Sequence, residues 1–118
     1  MSDPKQQAED HYYAALDLFA DGKPEEAIAE YSKCLSLDPG HLEAMHGLAR
    51  VYQDLQRFDE SIAISQRLVE ADPEDILAHT SLSIAYQKKG MIPEAEAEAN
   101  QARILGWKKQ LNQAKEIR

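Results

Sequence analysis

"LSLDPGHLEA" (35–44) interrupts a run of good helix formers with an Asp-Pro-Gly that a helix interior does not tolerate, and "VEADPEDILA" (69–78) does so again. Proline lacks a backbone donor and clashes with the preceding turn, and it pushes the residue before it out of the helical region. Asp38 and Asp72 therefore mark helix ends. Pro39 and Pro73 lie 34 positions apart, and sliding the chain by that interval also brings Tyr52 onto Tyr86 and, in two steps, Gly22 onto Gly90. Between the prolines the apolar residues follow helical spacing in two bursts, separated by "DLQRFDE" (54–60). Each 34-residue unit reads as two helices, and the Asp-Pro interruption as a joint between units.

Local chemistry agrees with that division. Asp3 is placed to cap a first helix with Pro4 at its first position, where a missing N–H costs nothing, and Gly22 can end it in the left-handed conformation. Pro24 and Pro93 fall in the first turns of later helices. "EAEAEAN" (94–100) alternates like a strand, but Ala and Glu are strong helix formers and poor strand formers. A helix puts Ala95, Ala99 and Ala102 on one packing face and leaves Glu94 and Glu98 solvated.

These units resemble tetratricopeptide repeats, a helix-turn-helix family of this repeat length. In the first unit (about 8–41) Ala15, Gly22, Ala27, Tyr31 and Pro39 match the family's packing and turn positions. In the second (about 42–75) Leu48, Ala49, Tyr52 and Pro73 match, and in the third (about 76–109) Leu82, Tyr86, Gly90, Ala95, Ala99 and Ala102. The family's early tryptophan is replaced by His11, Met45 and His79; Ser61 and Ser65 stand where alanine and an aromatic are usual; Trp107 replaces the last proline. The resemblance implies an all-α fold, a right-handed α-solenoid of three helix pairs forming one domain over 1–118. The last unit needs a neighbour to cover its apolar face. "WKKQLNQAKEIR" (107–118) spaces Trp107, Leu111, Ala114 and Ile117 along one stripe, so a seventh, capping helix is expected at about 107–117.

Composition narrows the function. The 118 residues carry a formal charge of −8, which disfavours phosphate backbones and anionic membranes, so neither nucleic acid nor a membrane is expected as partner. Residues 1–40 hold three basic and nine acidic groups, residues 41–74 three and seven, and residues 75–118 seven and five. Cys34 is the only cysteine and no secretory or membrane-spanning run is present, from which a cytoplasmic protein is expected.

Catalytic groups do not assemble. The five glycines are dispersed, and His41 and His46 stand about 140° apart round a helix, so neither a phosphate loop nor a metal signature forms. No cofactor is expected. His11 and His79 share one repeat position, which points to packing, and Cys34 falls at a small packing position as an inert thiol. Glu25-Glu26 and Asp59-Glu60 open expected helices, where they favour the positive end of the dipole.

In the family, the first helix of each pair lines a concave groove that receives a peptide or a helix. Carrying those positions over gives Glu9, Tyr12, Leu16 and Phe19, then Glu43, His46, Arg50 and Gln53, then Leu77, Thr80, Ile84 and Gln87. Tyr12, Leu16 and Phe19 form one stripe on a helix that also packs through Ala15 and Leu18, which marks either an interface or side chains meeting across a narrow groove. The family's chaperone-binding carboxylate clamp falls on Tyr12, Leu16, Gly47, Leu77 and Ser81, none of which holds a carboxylate by charge. The expectation is a non-enzymatic adaptor or scaffold binding an apolar peptide or amphipathic helix of another protein, with self-association of the chain as the alternative.

Overall fold

The structure is a computed structural model and describes residues 3–117. Six helices follow one another: α1 (Pro4–Ala20), α2 (Pro24–Leu37), α3 (Leu42–Asp54), α4 (Phe58–Ala71), α5 (Ile76–Lys88) and α6 (Ile92–Ile117). No strand occurs among the described residues. α1 pairs with α2, α3 with α4 and α5 with α6, and successive pairs stack through α2 on α3 and α4 on α5. The backbones of the first helices also come close, α1 to α3 and α3 to α5, whereas among the described residues no two of the second helices approach as closely. The array is thus closed along α1, α3 and α5 and splayed along α2, α4 and α6. Its radius of gyration of 15.9 Å exceeds the ~13 Å of a compact domain of this length, because the core is spread along the stack.

Each boundary has a local cause. Asp3 caps α1 by accepting the Gln6 N–H at 2.8 Å, and Pro4 and Pro24 occupy first helical positions. At the joints, Asp38 (φ −139°) and Asp72 (φ −145°) leave the helical region ahead of their prolines. The next helix is then capped at equivalent sites: His41 Nδ1 accepts the Ala44 N–H at 3.1 Å, and Asp75 Oδ1 accepts the Ala78 N–H at 3.1 Å. An imidazole does at one joint what a carboxylate does at the other.

The turns inside the pairs are equally periodic. Lys23, Arg57 and Met91 donate their N–H groups to the carbonyls of Leu18, Tyr52 and Tyr86 at 2.9, 2.8 and 2.9 Å. The residue before each donor is left-handed: Gly22 at φ 75°, Gln56 at φ 60° and Gly90 at φ 78°. Glycine suits this helix-ending motif because it has no Cβ to clash. Gln56 adopts the same geometry with a Cβ in place.

Two sequence expectations are corrected in the last pair. The seventh helix is not a separate element: Trp107–Ile117 continues α6, which runs unbroken for 26 residues. With Trp107 where the family has proline, nothing breaks the helix, and Trp107 (62% exposed) and Leu111 (63%) extend into solvent instead of folding back as a cap. Glu98 is likewise not solvated; it is half-buried against His79. Ala95 is buried, but Ala99 and Ala102 are only half-buried, because α6 has α5 as its sole helical neighbour among the described residues.

The core contains Ala8, Ala15, Ala27, Tyr31, Cys34, Met45, Leu48, Ala49, Val51, Ile64, Leu68 and Ala78. Burial, then the nearby carboxylates of Asp38, Glu9 and Glu43, push the Cys34 thiol up to about 11, so it stays neutral and unreactive at ordinary pH. His11 Nδ1 and His79 Nδ1 each bond, at 2.6 Å, a glutamate nineteen positions on, Glu30 and Glu98. The same two slots of the middle unit hold Met45 and Ile64, both buried. One position pair is therefore filled either by a hydrogen-bonded His and Glu or by two apolar side chains.

Candidate functional site

The inner surface of α1, α3 and α5 encloses a hollow of about 440 Å³, lined by Tyr12, Leu16, Tyr31, Glu43, His46, Gly47, Arg50, Gln53, Leu77, Thr80, Ser81 and Ile84. It brings together nine of the twelve sequence-expected groove positions: Tyr12, Leu16, Glu43, His46, Arg50, Gln53, Leu77, Thr80 and Ile84. The other three stand apart, Glu9 being bonded to His41. Phe19 is half-buried, with the Arg50 guanidinium 6.0 Å from its ring centroid, and Gln87 is exposed farther along α5. All five positions equivalent to the family's carboxylate clamp also line the hollow, as Tyr12, Leu16, Gly47, Leu77 and Ser81.

Most polar groups around the hollow are already engaged. His46 Nε2 bonds Asp75 Oδ2 at 2.7 Å, tying α3 to the start of α5. The Gln53 amide donates to the Ser81 carbonyl at 3.0 Å, and the Thr80 hydroxyl to the Ile76 carbonyl at 3.0 Å. Arg50 is the hollow's cation. Its side chain is 70% exposed, with a 3.6 Å approach to Asp54 one turn on, a geometry that contributes little in water. The apolar surface comes from Leu16, Leu77 and Ile84, all exposed. Tyr12, by contrast, is half-buried against Tyr31 and His41, with ring centroids 6.2 and 5.0 Å away. Of the apolar stripe on α1, only Leu16 is left substantially uncovered.

Tyr31 is the lining residue that neither the groove positions nor the clamp positions included. It comes from α2, behind the hollow, and its ring reaches α3 at Gly47. A Cβ at Gly47 would lie 2.5 Å from Tyr31 Cζ and 2.7 Å from its hydroxyl oxygen, so α3 accommodates the ring only because this residue has no side chain. The legible signal was a glycine inside a helical pattern, which usually has a packing reason.

At one end of the hollow, Glu9, His41 and Glu43 bring one ligand-type atom each within 4.8 Å of one another. The hydrogen bonds weigh against a cation there. His41 Nδ1 accepts the Ala44 N–H, so the neutral ring carries its proton on Nε2 and donates it to Glu9. Coordination through Nε2 would have to break both the Glu9 bond and the helix cap.

Stacked helix pairs of this length, closed along one helix row and hollow on that side, define an α-helical repeat protein. The tetratricopeptide repeat family model matches residues 18–83, and the chain belongs to that family. It is 33% identical over 84 residues to the TPR repeat-containing protein YpiA of Bacillus subtilis (strain 168); the match spans 71% of this chain and 20% of that protein. Among solved structures, a crystal structure of MamA superposes with a TM-score of 0.86 at 25% identity, over 92% of this chain and 63% of that one. The second TPR of Spaghetti (RPAP3) bound to HSP90 peptide SRMEEVD superposes with a TM-score of 0.80 at 23% identity, over 86% of this chain and 94% of that one. Tetratricopeptide repeats are in general non-catalytic modules for protein–protein interaction. No helix among the described residues is long and apolar enough to cross a membrane.

Proposed function

We propose that the chain is a non-enzymatic adaptor whose inner groove takes an apolar segment of another protein, as an extended peptide or an amphipathic helix. One observation carries this reading: Leu16, Leu77 and Ile84 leave apolar surface exposed inside a concavity whose neighbouring polar groups are largely paired with each other. Exposed apolar patches of this kind mark interaction sites. A chaperone's terminal carboxylate is not the expected ligand, because the clamp positions hold Tyr12, Leu16, Gly47, Leu77 and Ser81, without a cation among them. The acidic balance of residues 1–74 likewise disfavours nucleic acid and anionic membranes. The test is selection of peptides from a displayed random library on the wild type and on a folded Leu16→Glu, Leu77→Glu, Ile84→Glu variant. Peptides retained by the wild type alone support the groove. Equal retention by both refutes it.

A second reading has its own observation. Ile104, Trp107 and Leu111 lie on one face of α6 and are 48%, 62% and 63% exposed. Two copies packing through this stripe would cover it. Sedimentation of the wild type and of Trp107→Glu separates the readings: a mass that rises with concentration and collapses in the variant supports self-association.

A further inference from the structure

Among the groove's lining residues, one fully buried side chain carries a polar group that the fold does not use. Tyr31 is 1% exposed, and its hydroxyl has no hydrogen-bond partner among the described residues. It is not sealed in the core, where Ser65 Oγ is the buried side-chain polar atom without a partner; it lies at the wall of the hollow beside Gly47. At this point in α3 the groove meets a phenol delivered from α2 instead of a side chain of its own. Burial, then the neighbouring Tyr12, raises the Tyr31 pKa above its ordinary value of 10.0, so the hydroxyl keeps its proton and remains a donor.

We propose that the Tyr31 hydroxyl is the groove's central recognition group, and that the occupant is an extended peptide that offers it a main-chain carbonyl. This rests on the groove reading above and narrows it. In a helix the interior carbonyls are engaged in the i to i−4 ladder, so an amphipathic helix lying along the hollow has no unpaired main-chain carbonyl to give there. An extended chain leaves its main-chain carbonyls unpaired along its length. The flanking surface sets the rest of the ligand. Leu16, Leu77 and Ile84 take apolar side chains, and Arg50 takes an acidic side chain near the bonded carbonyl. Arg50 stands three residues beyond Gly47, a rise of about 4.5 Å along α3, and an extended chain advances about 3.3 Å per residue. The acidic residue therefore falls within about two positions of that carbonyl.

The probe is the tightest unconstrained linear peptide selected from the displayed library on the wild-type protein. Its affinity is measured for the wild type, Tyr31→Phe, Arg50→Gln and the Leu16→Glu, Ile84→Glu pair, with the thermal midpoint of each. Because the hydroxyl holds nothing in the fold, Tyr31→Phe should keep the wild-type midpoint and bind about five- to tenfold more weakly. Replacing peptide carbonyls one at a time by methylene should reveal one position that weakens the wild type but has no further effect on Tyr31→Phe. Arg50→Gln should erase the preference for an acidic residue near that position. Binding by Tyr31→Phe within about twofold of wild type, or a bound peptide that is helical by circular dichroism, overturns the inference. If the Leu16→Glu, Ile84→Glu pair still abolishes binding in that case, the groove reading stands. If that pair also binds as the wild type does, or the library yields no binder, both readings fall.

Discussion

The seam between the first two helix pairs and the seam between the last two are built on the same plan and filled differently. In the first, Tyr31 reaches from α2 to α3 and is met by Gly47; in the second, the equivalent positions are Ser65 on α4 and Ser81 on α5. Tyr31 is 1% exposed and brings a hydroxyl to the groove, whereas Ser65 is fully buried with its hydroxyl unpartnered. One seam therefore brings a polar side chain to the wall of the hollow, and the other hides one in the core. A repeat fixes where side chains go, and departures from the repeat fix what they can do there.

The largest break in that comparison should come from Tyr31→Ala, which removes a fully buried ring from the first seam. A loss of about 3–5 kcal/mol in denaturant unfolding is expected, by analogy with other buried aromatic truncations. Gly47→Ala attacks the same seam from the other side. With the new methyl placed 2.5 Å from the ring, either α3 or Tyr31 must shift, and the expected cost is about 1–3 kcal/mol. The Ser65→Ala change should run the opposite way, because it removes a buried hydroxyl that bonds nothing; a gain of up to ~1 kcal/mol is expected in the same assay. If Tyr31→Ala and Ser65→Ala alter the midpoint alike, the two seams do not differ as described.

A second contrast lies inside the helix pairs and is read by pH. Both nitrogens of His79 face acceptors, Glu98 Oε2 at 2.6 Å and the Pro73 carbonyl at 2.8 Å, so the ring completes both bonds only as the imidazolium. Burial opposes that charge, but the Glu98 bond, then the Pro73 carbonyl, outweigh it, and the pKa is raised above 6.5. A raised folded pKa means the contribution is complete below 6.5 and is lost as pH rises through the folded value. Glu30 acts in the other direction. The His11 bond holds its pKa below 4.5 against the opposing effect of burial, so its contribution is present above that value and lost as acid is added through the lower folded one. Thermal midpoints should thus be highest between these limits, and Glu98→Gln should flatten the fall on the alkaline side. An unchanged slope in that variant would remove the ion pair from the account.

The smallest effect concerns the turns. Gln56 holds the left-handed geometry that Gly22 and Gly90 hold without a Cβ, so Gln56→Gly should raise stability by up to ~1 kcal/mol, after the entropy of a freer unfolded chain is set against the relieved strain.

Much of this fold is legible because proline and glycine act locally. Pro39 and Pro73 must end helices wherever they stand, and the 34-residue interval follows from counting between them. The turn within 54–60 was legible from the break in apolar spacing, but not the left-handed residue in it, because the conformation of Gln56 is imposed by the helix-ending hydrogen bonds and not by its own preference. The unbroken α6 was hidden for a related reason: the spacing of Trp107, Leu111 and Ala114 is helical whether the helix continues or begins afresh. The His–Glu pairs did leave a trace, since His11, Met45 and His79 change in step with Glu30, Ile64 and Glu98, but each partner lies nineteen positions away. For the groove, the repeat register placed Leu16, Arg50, Leu77 and Ile84 together. Tyr31 read only as a packing aromatic, because its access to the hollow depends on Gly47, on another helix.

The most direct test of the groove is a titration of the isotopically labelled protein with the library-selected linear peptide, followed by amide chemical shifts. The largest shifts are expected on Leu16, Gly47, Arg50, Leu77 and Ile84. Shifts concentrated instead on Ile104, Trp107 and Leu111, or on the outer face at Leu35, Tyr52 and Ala63, would contradict the groove reading.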